Sequence, residues 1–372
     1  MKIKAAFVEE KGAPYQMKTL ELAEPQGFDI LVRMVASGLC RSDYGERTGN
    51  SVEFPNVLGH EGAGIVEKVG EAVTEVKPGD HVILSYGYCG NCKHCAEGHP
   101  SSCTDWLAIN NKGVNKRGDY VLHTEEGEPV NNFFNQSAFS THCLVDETNI
   151  VKVDKEIDLR LLGPLGCGLG TGSGAVFSVL KPKAASTIAI FGTGAVGFAA
   201  IMASKIVGCK TIIAIDINEK RLEVAKECGA THVINSKNID AADEIMKISA
   251  NQGMDYVIDT TGVPTVMTQA LHSVTNSGTF IPLAVTKKDF QLNTFFDLVF
   301  GNKKIEGVLI GNTIPKIHLV NLIDFYKKGQ FPFDRFVKFY PFEDINQAEA
   351  DSLTGEVIKS VVVIDDTYQA PN

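Results

Sequence analysis

The stretch Thr187-Ile-Ala-Ile-Phe-Gly-Thr-Gly-Ala-Val-Gly197 joins an apolar run to a glycine-rich turn and opens an alanine-rich helix that extends to about Val207. Gly192 suits the tight turn, Gly194 lets a pyrophosphate approach the backbone, and Gly197 allows the helix to pack closely against the strand. The stretch therefore predicts the first strand, turn and helix of a dinucleotide-binding domain. The residues predicted to bind the cofactor in this turn are Gly192, Gly194, Ala195, Val196 and Gly197.

The next apolar strand ends at Asp216, 19 residues after Gly197. A carboxylate at that point can accept hydrogen bonds from the adenosine ribose hydroxyls and would repel a 2′-phosphate, so it favours NAD over NADP. A glycine turn beside a surface aspartate is the alternative interpretation, but strand, turn, helix, strand and acid all occur in the expected order. We therefore expect NAD to be the cofactor.

Short apolar runs alternate with helical stretches over residues 186–306, which predicts parallel βαβ units with helices on both faces of a sheet. Residues 2–84 differ, because β-branched runs separated by Gly, Pro and Asp are typical of an all-β unit. The rhythm changes again at 307–312, and a terminal strand is predicted at 357–364. The predicted fold class is α/β, with a β-rich domain, an inserted doubly wound parallel-sheet domain, and a tail that returns to the first.

The 372 residues include 35 Lys and Arg against 45 Asp and Glu, a formal net charge of −10. This balance repels phosphate backbones and anionic headgroups, so we expect neither nucleic acid nor a membrane as a partner. No uncharged run approaches the roughly 18 residues of a transmembrane helix. The N-terminal residues 1–10 have charges within their apolar stretch and no signal-peptide cleavage site. We therefore expect a cytoplasmic protein whose partner is a small molecule.

Four of the nine cysteines follow the spacing Cys89-x2-Cys92-x2-Cys95-x7-Cys103. In a reducing compartment this spacing suits a closed, tetrahedral structural zinc site in a lobe at about 89–103. An iron–sulfur cluster or free thiols are the alternatives. The histidines within the lobe, predicted to be loop residues and not ligands, are His94 and His99. The cysteines predicted to be small packing residues are Cys143, Cys209 and Cys228.

Three further potential ligands lie apart in the chain, each among glycines. They are Cys40 in Gly38-Leu-Cys-Arg-Ser-Asp43, His60 in Gly59-His-Glu-Gly-Ala-Gly64, and Cys167 in Gly163-Pro-Leu-Gly-Cys-Gly168. Singly, such a residue is more often structural than a metal ligand. Together with the lobe and the glycine turn, these motifs resemble the zinc-dependent medium-chain alcohol dehydrogenases along nearly the whole chain. The zinc signature of that family is matched by Gly59-His60-Glu61-x2-Gly64-x5-Gly70-x2-Val73.

Within that family the chain is most similar to the aryl (benzyl) and related allylic alcohol dehydrogenases. This similarity rests on the segments Leu84–Cys92, Asn132–Ser140 and Leu161–Gly168. The family resemblance implies a GroES-like catalytic domain formed by residues 1–168 and 312–372, and a Rossmann domain formed by residues 169–311. It also implies a homodimer or homotetramer that assembles through the nucleotide domain, and the apolar stretch Phe295–Phe300 is interpreted as an interface strand or as core.

The resemblance further implies that Cys40, His60 and Cys167 bind a catalytic zinc and leave a fourth position for water or substrate. Alcohol dehydrogenase is itself the standard example of such a two-cysteine, one-histidine site, so this assignment is made by analogy. With the lobe it gives two Zn²⁺ per chain. Glu61 is expected in the catalytic-zinc group, behind the metal, and whether it ever ligates zinc stays open. Asp43 is expected to orient His60, although ordinary buried carboxylates are an alternative for both acids.

The same resemblance assigns the chemistry to Ser42, which takes the proton of a zinc-bound alcohol while hydride passes to NAD⁺. Several relatives place a histidine five residues after the first zinc cysteine to pass this proton to solvent, whereas this chain has Gly45. The exit route therefore has no assigned residue. The other residues expected to contact NAD are Arg41 and Lys359 at the pyrophosphate, Arg221 near the adenosine ribose, and Thr171 and Val285 beside the nicotinamide.

These inferences together predict an NAD-dependent zinc oxidoreductase that converts primary aromatic or allylic alcohols to aldehydes. Short aliphatic alcohols or S-(hydroxymethyl)glutathione are the alternative substrates, and the exact alcohol and the physiological direction stay open. A non-catalytic NAD(H)-binding protein is the alternative of a different class, and it predicts loss of the open zinc site. Trp106 is a candidate for the site entrance or for a structural role. The phenylalanines of which one or two are expected to contact substrate are Phe133, Phe134, Phe139, Phe295, Phe296, Phe331, Phe333 and Phe336.

Overall fold

The computed structural model describes residues 1–371, which divide into two compact units. The first unit comprises residues 1–167, 314–323 and 334–371, and the second comprises residues 168–313 and 324–333. These bounds lie within two residues of the boundaries at 168 and 312 that the sequence suggests. The segment 324–333 differs from that expectation, because it groups with the second unit.

Eighteen strands and eleven α-helices make up the described chain. The strands are β1 (Lys2–Val8), β2 (Gln16–Leu22), β3 (Asp29–Gly38), β4 (Asn56–Val57), β5 (Gly62–Val69), β6 (His81–Leu84), β7 (Leu122–His123), β8 (Pro129–Asn132), β9 (His142–Asp146), β10 (Ile150–Val153), β11 (Thr187–Phe191), β12 (Thr211–Asp216), β13 (His232–Asn235), β14 (Met254–Asp259), β15 (Val274–Pro282), β16 (Lys304–Ile305), β17 (Val337–Pro341) and β18 (Lys359–Val363). The helices are α1 (Arg41–Thr48), α2 (Lys93–Ala96), α3 (Trp106–Asn111), α4 (Leu159–Leu162), α5 (Gly168–Gly174), α6 (Ala195–Ile206), α7 (Glu219–Cys228), α8 (Ala241–Ile248), α9 (Pro264–His272), α10 (Pro315–Lys327) and α11 (Ile345–Thr354). No helix within residues 1–371 is long and apolar enough to cross a membrane.

Two β-sheets form the body of the first unit. Strands β1, β2, β7, β8 and β4 close into a small barrel, and the other sheet has the order β10-β6-β5-β3-β18-β17, with β9 also paired to β3. Strand β3 is central because its apolar run is buried at every residue except Arg33. The last strand, β18, pairs antiparallel with β3 and parallel with β17, so the C-terminal strand returns to the first unit as expected.

A six-stranded sheet in the order β13-β12-β11-β14-β15-β16 forms the centre of the second unit, and all its strand pairs are parallel. The first strand in the chain, β11, therefore lies in the middle, and the direction of winding reverses between β11 and β14. This is the strand order of a Rossmann fold, in which a dinucleotide lies at the carboxyl ends of the strands beside the reversal. The predicted doubly wound α/β class is confirmed.

The stretch Phe295–Phe300 is neither a strand nor part of the core. It forms a π-helical turn, Thr294–Val299, in which the side chain of Asn293 accepts hydrogen bonds from the backbone N–H groups of Phe295 and Phe296. Phe296 is 68% exposed and Phe300 is 75% exposed. Sequence reasoning assigned these residues to a strand or the core because apolar runs usually become buried strands, but this one remains at the surface of the second unit.

Candidate metal centres and cofactor site

Four side chains from three separate parts of the first unit converge on one point. The ligand atoms of Cys40, His60, Glu61 and Cys167 all lie within 4.8 Å of one another. Cys40 stands between β3 and α1, the His60–Glu61 pair precedes β5, and Cys167 follows a tight 3₁₀ turn. The structure thus brings together all four residues that the sequence assigns to the catalytic zinc group.

Asp43, in the first turn of α1, fixes the orientation of this group. Its Oδ1 accepts hydrogen bonds from His60 Nδ1 at 2.8 Å and from the backbone N–H of Gly59 at 3.2 Å, and its Oδ2 accepts from the backbone N–H of Cys40 at 2.9 Å. Because Nδ1 donates to Asp43, Nε2 is the ring nitrogen that remains for a metal. The structure thus places Asp43 in hydrogen-bond contact with His60, and its orienting role stays a prediction.

The donor set fits zinc. Two thiols and an imidazole bind zinc in preference to hard cations such as Mg²⁺ or Ca²⁺. A hydrogen bond with Cys167 lowers the pKa of the Cys40 thiol well below its usual value, whereas the same bond and burial raise the pKa of Cys167. The positive charge of a bound divalent metal would favour the thiolate form of both cysteines.

Lys359 lies beside this group and not at a surface. Its Nζ is 2.8 Å from Oε2 and 3.0 Å from Oε1 of Glu61, and it donates to the carbonyl oxygen of Leu39 at 3.0 Å. Burial works against the ammonium, but the Glu61 carboxylate outweighs it and holds the pKa of Lys359 above its usual value. Glu61 and Leu39 use all three donor positions of the ammonium in this structure, and the binding of a pyrophosphate by Lys359 stays a prediction.

Two glycines make room for Glu61. A Cβ atom on Gly38 would lie 2.2 Å from Glu61 Oε2, and a Cβ atom on Gly163 would lie 2.1 Å from the Glu61 carbonyl oxygen. Burial raises the pKa of the Glu61 carboxyl to about 7, and Lys359 opposes that shift. The glycines of the two motifs therefore serve to admit a buried acid that is held by a buried base.

An aromatic wall covers one side of His60. The ring centroids of Phe133 and Phe134 lie 5.5 and 4.8 Å from that of the imidazole, and Trp106 meets Phe134 edge-on at 5.5 Å. All four residues belong to the first unit. Two of the eight phenylalanines considered from the sequence are thus placed next to a metal-ligating side chain.

The remaining phenylalanine candidates lie elsewhere. Phe139 is buried against Gly59 and stacks edge-on with Tyr15, so it supports the loop before His60. The candidates that are buried in the cores of their units are Phe331, Phe333 and Phe336, and those on the exposed π-helical turn are Phe295 and Phe296.

The four-cysteine lobe also forms a cluster. The sulfur atoms of Cys89, Cys92, Cys95 and Cys103 lie within 4.8 Å of one another, and neither His94 nor His99 belongs to the set. Backbone N–H groups point at the sulfurs, with Cys92 N donating to Cys89 Sγ and Cys89 N donating to Cys103 Sγ, both at 3.3 Å.

The four thiols of the lobe suit a structural zinc. Backbone N–H groups lower the pKa of Cys92 to about 5, whereas burial raises the pKa of Cys95 to about 12. Four sulfur ligands fill a tetrahedral shell and leave no position for a substrate. Within the lobe, α2 has no buried residue and no side-chain cap, whereas Pro100 and Ser101 are buried.

In the second unit the three glycines of the turn differ in their surroundings. Gly192 has a φ of +92°, which favours glycine, and a Cβ on Gly197 would lie 1.9 Å from the Gly192 carbonyl oxygen. A Cβ on Gly194 would meet no atom within 4 Å. The open space at Gly194 is the cradle that a pyrophosphate fills, and Ala195 and Val196 begin helix α6 beside it.

Asp216 closes this turn from the end of β12. Its Oδ2 accepts from the backbone N–H and hydroxyl of Thr193, both at 2.7 Å, and its Oδ1 accepts from the backbone N–H groups of Ile217 and Asn218. Arg221, in the first turn of α7, has a buried Nε with no hydrogen-bond partner in the described structure. A carboxylate and an unpaired guanidinium donor beside an open glycine turn fit the adenosine end of NAD.

The other predicted residues are placed as follows. Arg41 and Ser42 form the first turn of α1 directly after Cys40, with Arg41 exposed and Ser42 half-buried. Thr171 is half-buried on α5, and Val285 is exposed in the loop after β15. Asp43 contacts Cys40 and His60 directly, Ser42 precedes it in the same helix, and Arg41 is exposed.

One feature of the site has no signal in the sequence. Three non-glycine residues of the loop after β8 have positive φ values: 57° for Phe134, 51° for Asn135 and 53° for Ser137. The buried side chain of Asn149 binds this segment from the start of β10. A single polar residue between two strands belongs to no motif, so only the folded structure reveals its contact with the aromatic wall.

Comparisons with known proteins agree with this arrangement. A family model described as an alcohol dehydrogenase GroES-like domain matches residues 26–155, and one described as a zinc-binding dehydrogenase matches residues 195–327. Geraniol dehydrogenase of Castellaniella defragrans is 36% identical over 361 residues, which cover 96% of this chain and 97% of that protein.

Two solved structures are similar over nearly their whole lengths. An alcohol dehydrogenase zinc-binding domain protein from Burkholderia ambifaria has a TM-score of 0.94 and 42% identity, covering 98% of this chain and 99% of that one. Benzyl alcohol dehydrogenase from Acinetobacter calcoaceticus has a TM-score of 0.92 and 42% identity, covering 98% of this chain and 100% of that one.

Proposed function

The chain belongs to the zinc-dependent medium-chain alcohol dehydrogenases, which bind NAD and zinc, and from that premise we propose that it oxidises primary aromatic or allylic alcohols to aldehydes. The observation that carries the substrate class is the aromatic wall, because the Phe133 and Phe134 rings lie directly against the imidazole of His60. Flat aromatic surfaces beside the metal-ligating group favour a planar, apolar substrate over a small aliphatic one. The names of two relatives, geraniol dehydrogenase and benzyl alcohol dehydrogenase, support the same class.

Cys40, His60 and Cys167 would hold the catalytic zinc, and Cys89, Cys92, Cys95 and Cys103 would hold the structural one. When bound, zinc supplies a Lewis acid to the alcohol oxygen and NAD⁺ supplies the hydride acceptor. Asp43 keeps the Nε2 of His60 directed at the ligand cluster, and the buried Lys359 balances the charge of Glu61.

Ser42 is proposed to take the hydroxyl proton from the substrate. It lies two residues after Cys40, in the first turn of α1, where its backbone is fixed relative to that ligand. The Ser42 hydroxyl would accept the O–H proton of the alcohol while passing on its own proton, and bound NAD⁺ would supply the hydride acceptor. Each turnover would then yield an aldehyde, NADH and one proton, and that proton would leave by a route that uses no side chain at Gly45.

We also propose that the protein is a cytoplasmic homodimer or homotetramer. All nine cysteines are free, and cysteines that bind zinc as two clusters must stay reduced, which favours a reducing compartment. The exposed Phe296, Val299 and Phe300 offer an apolar patch on the second unit that suits a contact between copies. Light scattering coupled to gel filtration measures the oligomeric state directly.

The substrate proposal is tested by following NADH absorbance with benzyl alcohol, cinnamyl alcohol, geraniol and ethanol, each with NAD⁺ and with NADP⁺. The zinc content of the same preparation is counted. We expect two zinc ions per chain and a higher kcat/KM for the aromatic and allylic alcohols with NAD⁺. A preference for ethanol, or for S-(hydroxymethyl)glutathione in a second panel, would instead establish one of the alternative substrates. One zinc per chain and no turnover would favour a non-catalytic NAD-binding protein.

A further inference from the structure

The segment that carries the aromatic wall is held in a strained backbone conformation. Phe134, Asn135 and Ser137 all adopt left-handed φ values, which L side chains rarely take and which cost free energy for a bulky residue such as phenylalanine. Strain of this kind persists only where the surrounding structure enforces it. The contacts that enforce it therefore control where the two phenylalanine rings lie.

Asn149 makes two of these contacts through one buried amide, which also binds Ser85. Its Nδ2 donates to the carbonyl oxygens of Ser85 at 2.9 Å and Phe134 at 3.2 Å, and its Oδ1 accepts from Asn135 Nδ2 at 2.9 Å. The side chain has no exposed surface. A Cβ on Gly87 would lie 2.8 Å from Asn149 Oδ1, so the neighbouring chain leaves space for this amide and little else.

The same amide connects the strained segment at residues 134–137 to the chain next to a metal ligand. Ser85, which accepts from Asn149 and from Gln136 Nε2 at 2.6 Å, donates its own hydroxyl to the carbonyl oxygen of Gly166 at 2.8 Å. Gly166 directly precedes Cys167. One short series of hydrogen bonds thus joins the backbone of Phe134 to the backbone beside a metal ligand.

We propose that Asn149 is a positioning residue that sets substrate selectivity, because it holds the strained backbone at Phe134 and so keeps the Phe134 ring on the face of His60. This inference rests on the proposed function, since the selectivity in question is for planar alcohols over small ones. Asn149 acts through the backbone that carries the Phe134 ring, to which its amide donates a hydrogen bond. Without its amide, Phe134 relaxes to an unstrained φ and its ring moves away from the imidazole.

The test compares Asn149→Ala with Ile150→Ala in the zinc-loaded enzyme. Ile150 is the next residue, 1% exposed and packed in the apolar core, so its truncation weakens the same strand without touching the amide contacts. Asn149→Ser, which keeps one donor, is measured beside them in case the alanine variant does not fold. The readouts are the ratio of kcat/KM for benzyl alcohol to that for ethanol, the zinc content, and acrylamide quenching of Trp106, the single tryptophan of the chain.

We expect Asn149→Ala to lower this ratio roughly tenfold, mainly through a higher KM for benzyl alcohol, as the loss of about one well-placed contact does. Both zinc ions are retained, and Trp106 becomes more accessible to acrylamide because Phe134 no longer covers its edge. Asn149→Ser changes the ratio and the quenching in the same direction by less. Ile150→Ala changes neither. The inference is overturned if either Asn149 variant has the same benzyl-alcohol-to-ethanol ratio of kcat/KM as Ile150→Ala. It is also overturned if either variant has the same Trp106 quenching as Ile150→Ala.

A failure of the proposed function can be distinguished from a failure of the positioning role of Asn149. If the unmodified enzyme does not prefer benzyl alcohol, the substrate class is wrong, and the quenching of Trp106 alone then decides whether Asn149 positions the aromatic segment. Unchanged quenching in the Asn149 variants overturns the positioning role in that case as well. Asn135→Gly provides a further check, because glycine takes the same φ without strain and leaves the bond from Asn149 to Phe134 intact, so the ratio is expected to hold.

Discussion

The ammonium of Lys359 and the carboxylate of Glu61 form a buried pair whose closest atoms are 2.8 Å apart, and both side chains are almost inaccessible to solvent. With zinc bound, two thiolates from Cys40 and Cys167 would offset the charge of the dication. Lys359 offsets the charge of Glu61. Each of these buried charges therefore has a partner of opposite sign, which is the condition under which a charge is stable in a dry interior.

Replacing Lys359 with methionine should leave the Glu61 carboxylate buried and unpaired. We expect the free energy of unfolding in urea to fall by about 3–5 kcal/mol, the usual cost of removing one partner of a buried ion pair. Adding Glu61→Gln to the variant should restore much of this stability, because the uncompensated charge is then gone. Lys359→Arg keeps the charge and is the control. Equal stability of Lys359→Met and the unmodified protein would contradict the pairing.

Substitutions at two glycines of the turn should have different effects, one on cofactor binding and the other on folding stability. A side chain on Gly194 meets no atom within 4 Å, so Gly194→Ala should fold normally and yet bind NADH much more weakly, because its methyl group occupies the pyrophosphate cradle. Gly197→Ala should lower the melting temperature, since its Cβ would lie 1.9 Å from the Gly192 carbonyl oxygen. Calorimetry and NADH fluorescence titration measure the two effects. Normal NADH affinity in Gly194→Ala would remove the turn from the cofactor site.

These two glycines show how far the sequence alone can be read. Their roles follow from a short motif between a strand and a helix, and the alternation of strands with helices and the four-cysteine spacing are local patterns of the same kind. The ion pair of Lys359 with Glu61 could not be predicted, because the two residues are 298 positions apart in the chain and meet through the pairing of β3 with both β5 and β18. The contact of Asn149 with Phe134 depends in the same way on tertiary structure.

Asp216 should determine the choice of cofactor. Asp216→Asn keeps the side-chain volume but loses the negative charge that favours ribose hydroxyls and repels a 2′-phosphate. We expect kcat/KM for NAD⁺ to fall roughly 10- to 100-fold, the effect of losing one charge-assisted hydrogen bond, with a smaller change for NADP⁺. Asp240→Asn, which alters a helix-capping aspartate elsewhere in the second unit, serves as the control. An unchanged ratio of NAD⁺ to NADP⁺ activity would contradict this role.

The lobe should lose its metal when one cysteine is removed. Cys103→Ser leaves three thiols, and we expect the zinc content to fall from two ions per chain to one, with a lower melting temperature because the binding energy of the metal no longer stabilises the lobe. Cys209→Ser, which alters a buried thiol outside both clusters, should keep both ions. Atomic absorption and differential scanning calorimetry on the same preparations make the comparison. Two zinc ions in Cys103→Ser would show that the lobe is not a four-cysteine zinc site.

Ser42 gives the most direct test of the chemistry. It stands two residues from Cys40 on the rigid first turn of α1, so Ser42→Ala removes a hydroxyl without disturbing the ligand or Asp43. We expect kcat for alcohol oxidation to fall by roughly 10²-fold or more, as the loss of a positioned proton acceptor does, while NADH affinity stays unchanged. Ser42→Thr keeps a hydroxyl and should retain most of the activity. The rate is measured with benzyl alcohol and its α-deuterated form, because an isotope effect shows that hydride transfer limits turnover. A full isotope effect with an unchanged kcat in Ser42→Ala would mean that the proton leaves the substrate by another group, and the half-buried position of Ser42 would then be structural only.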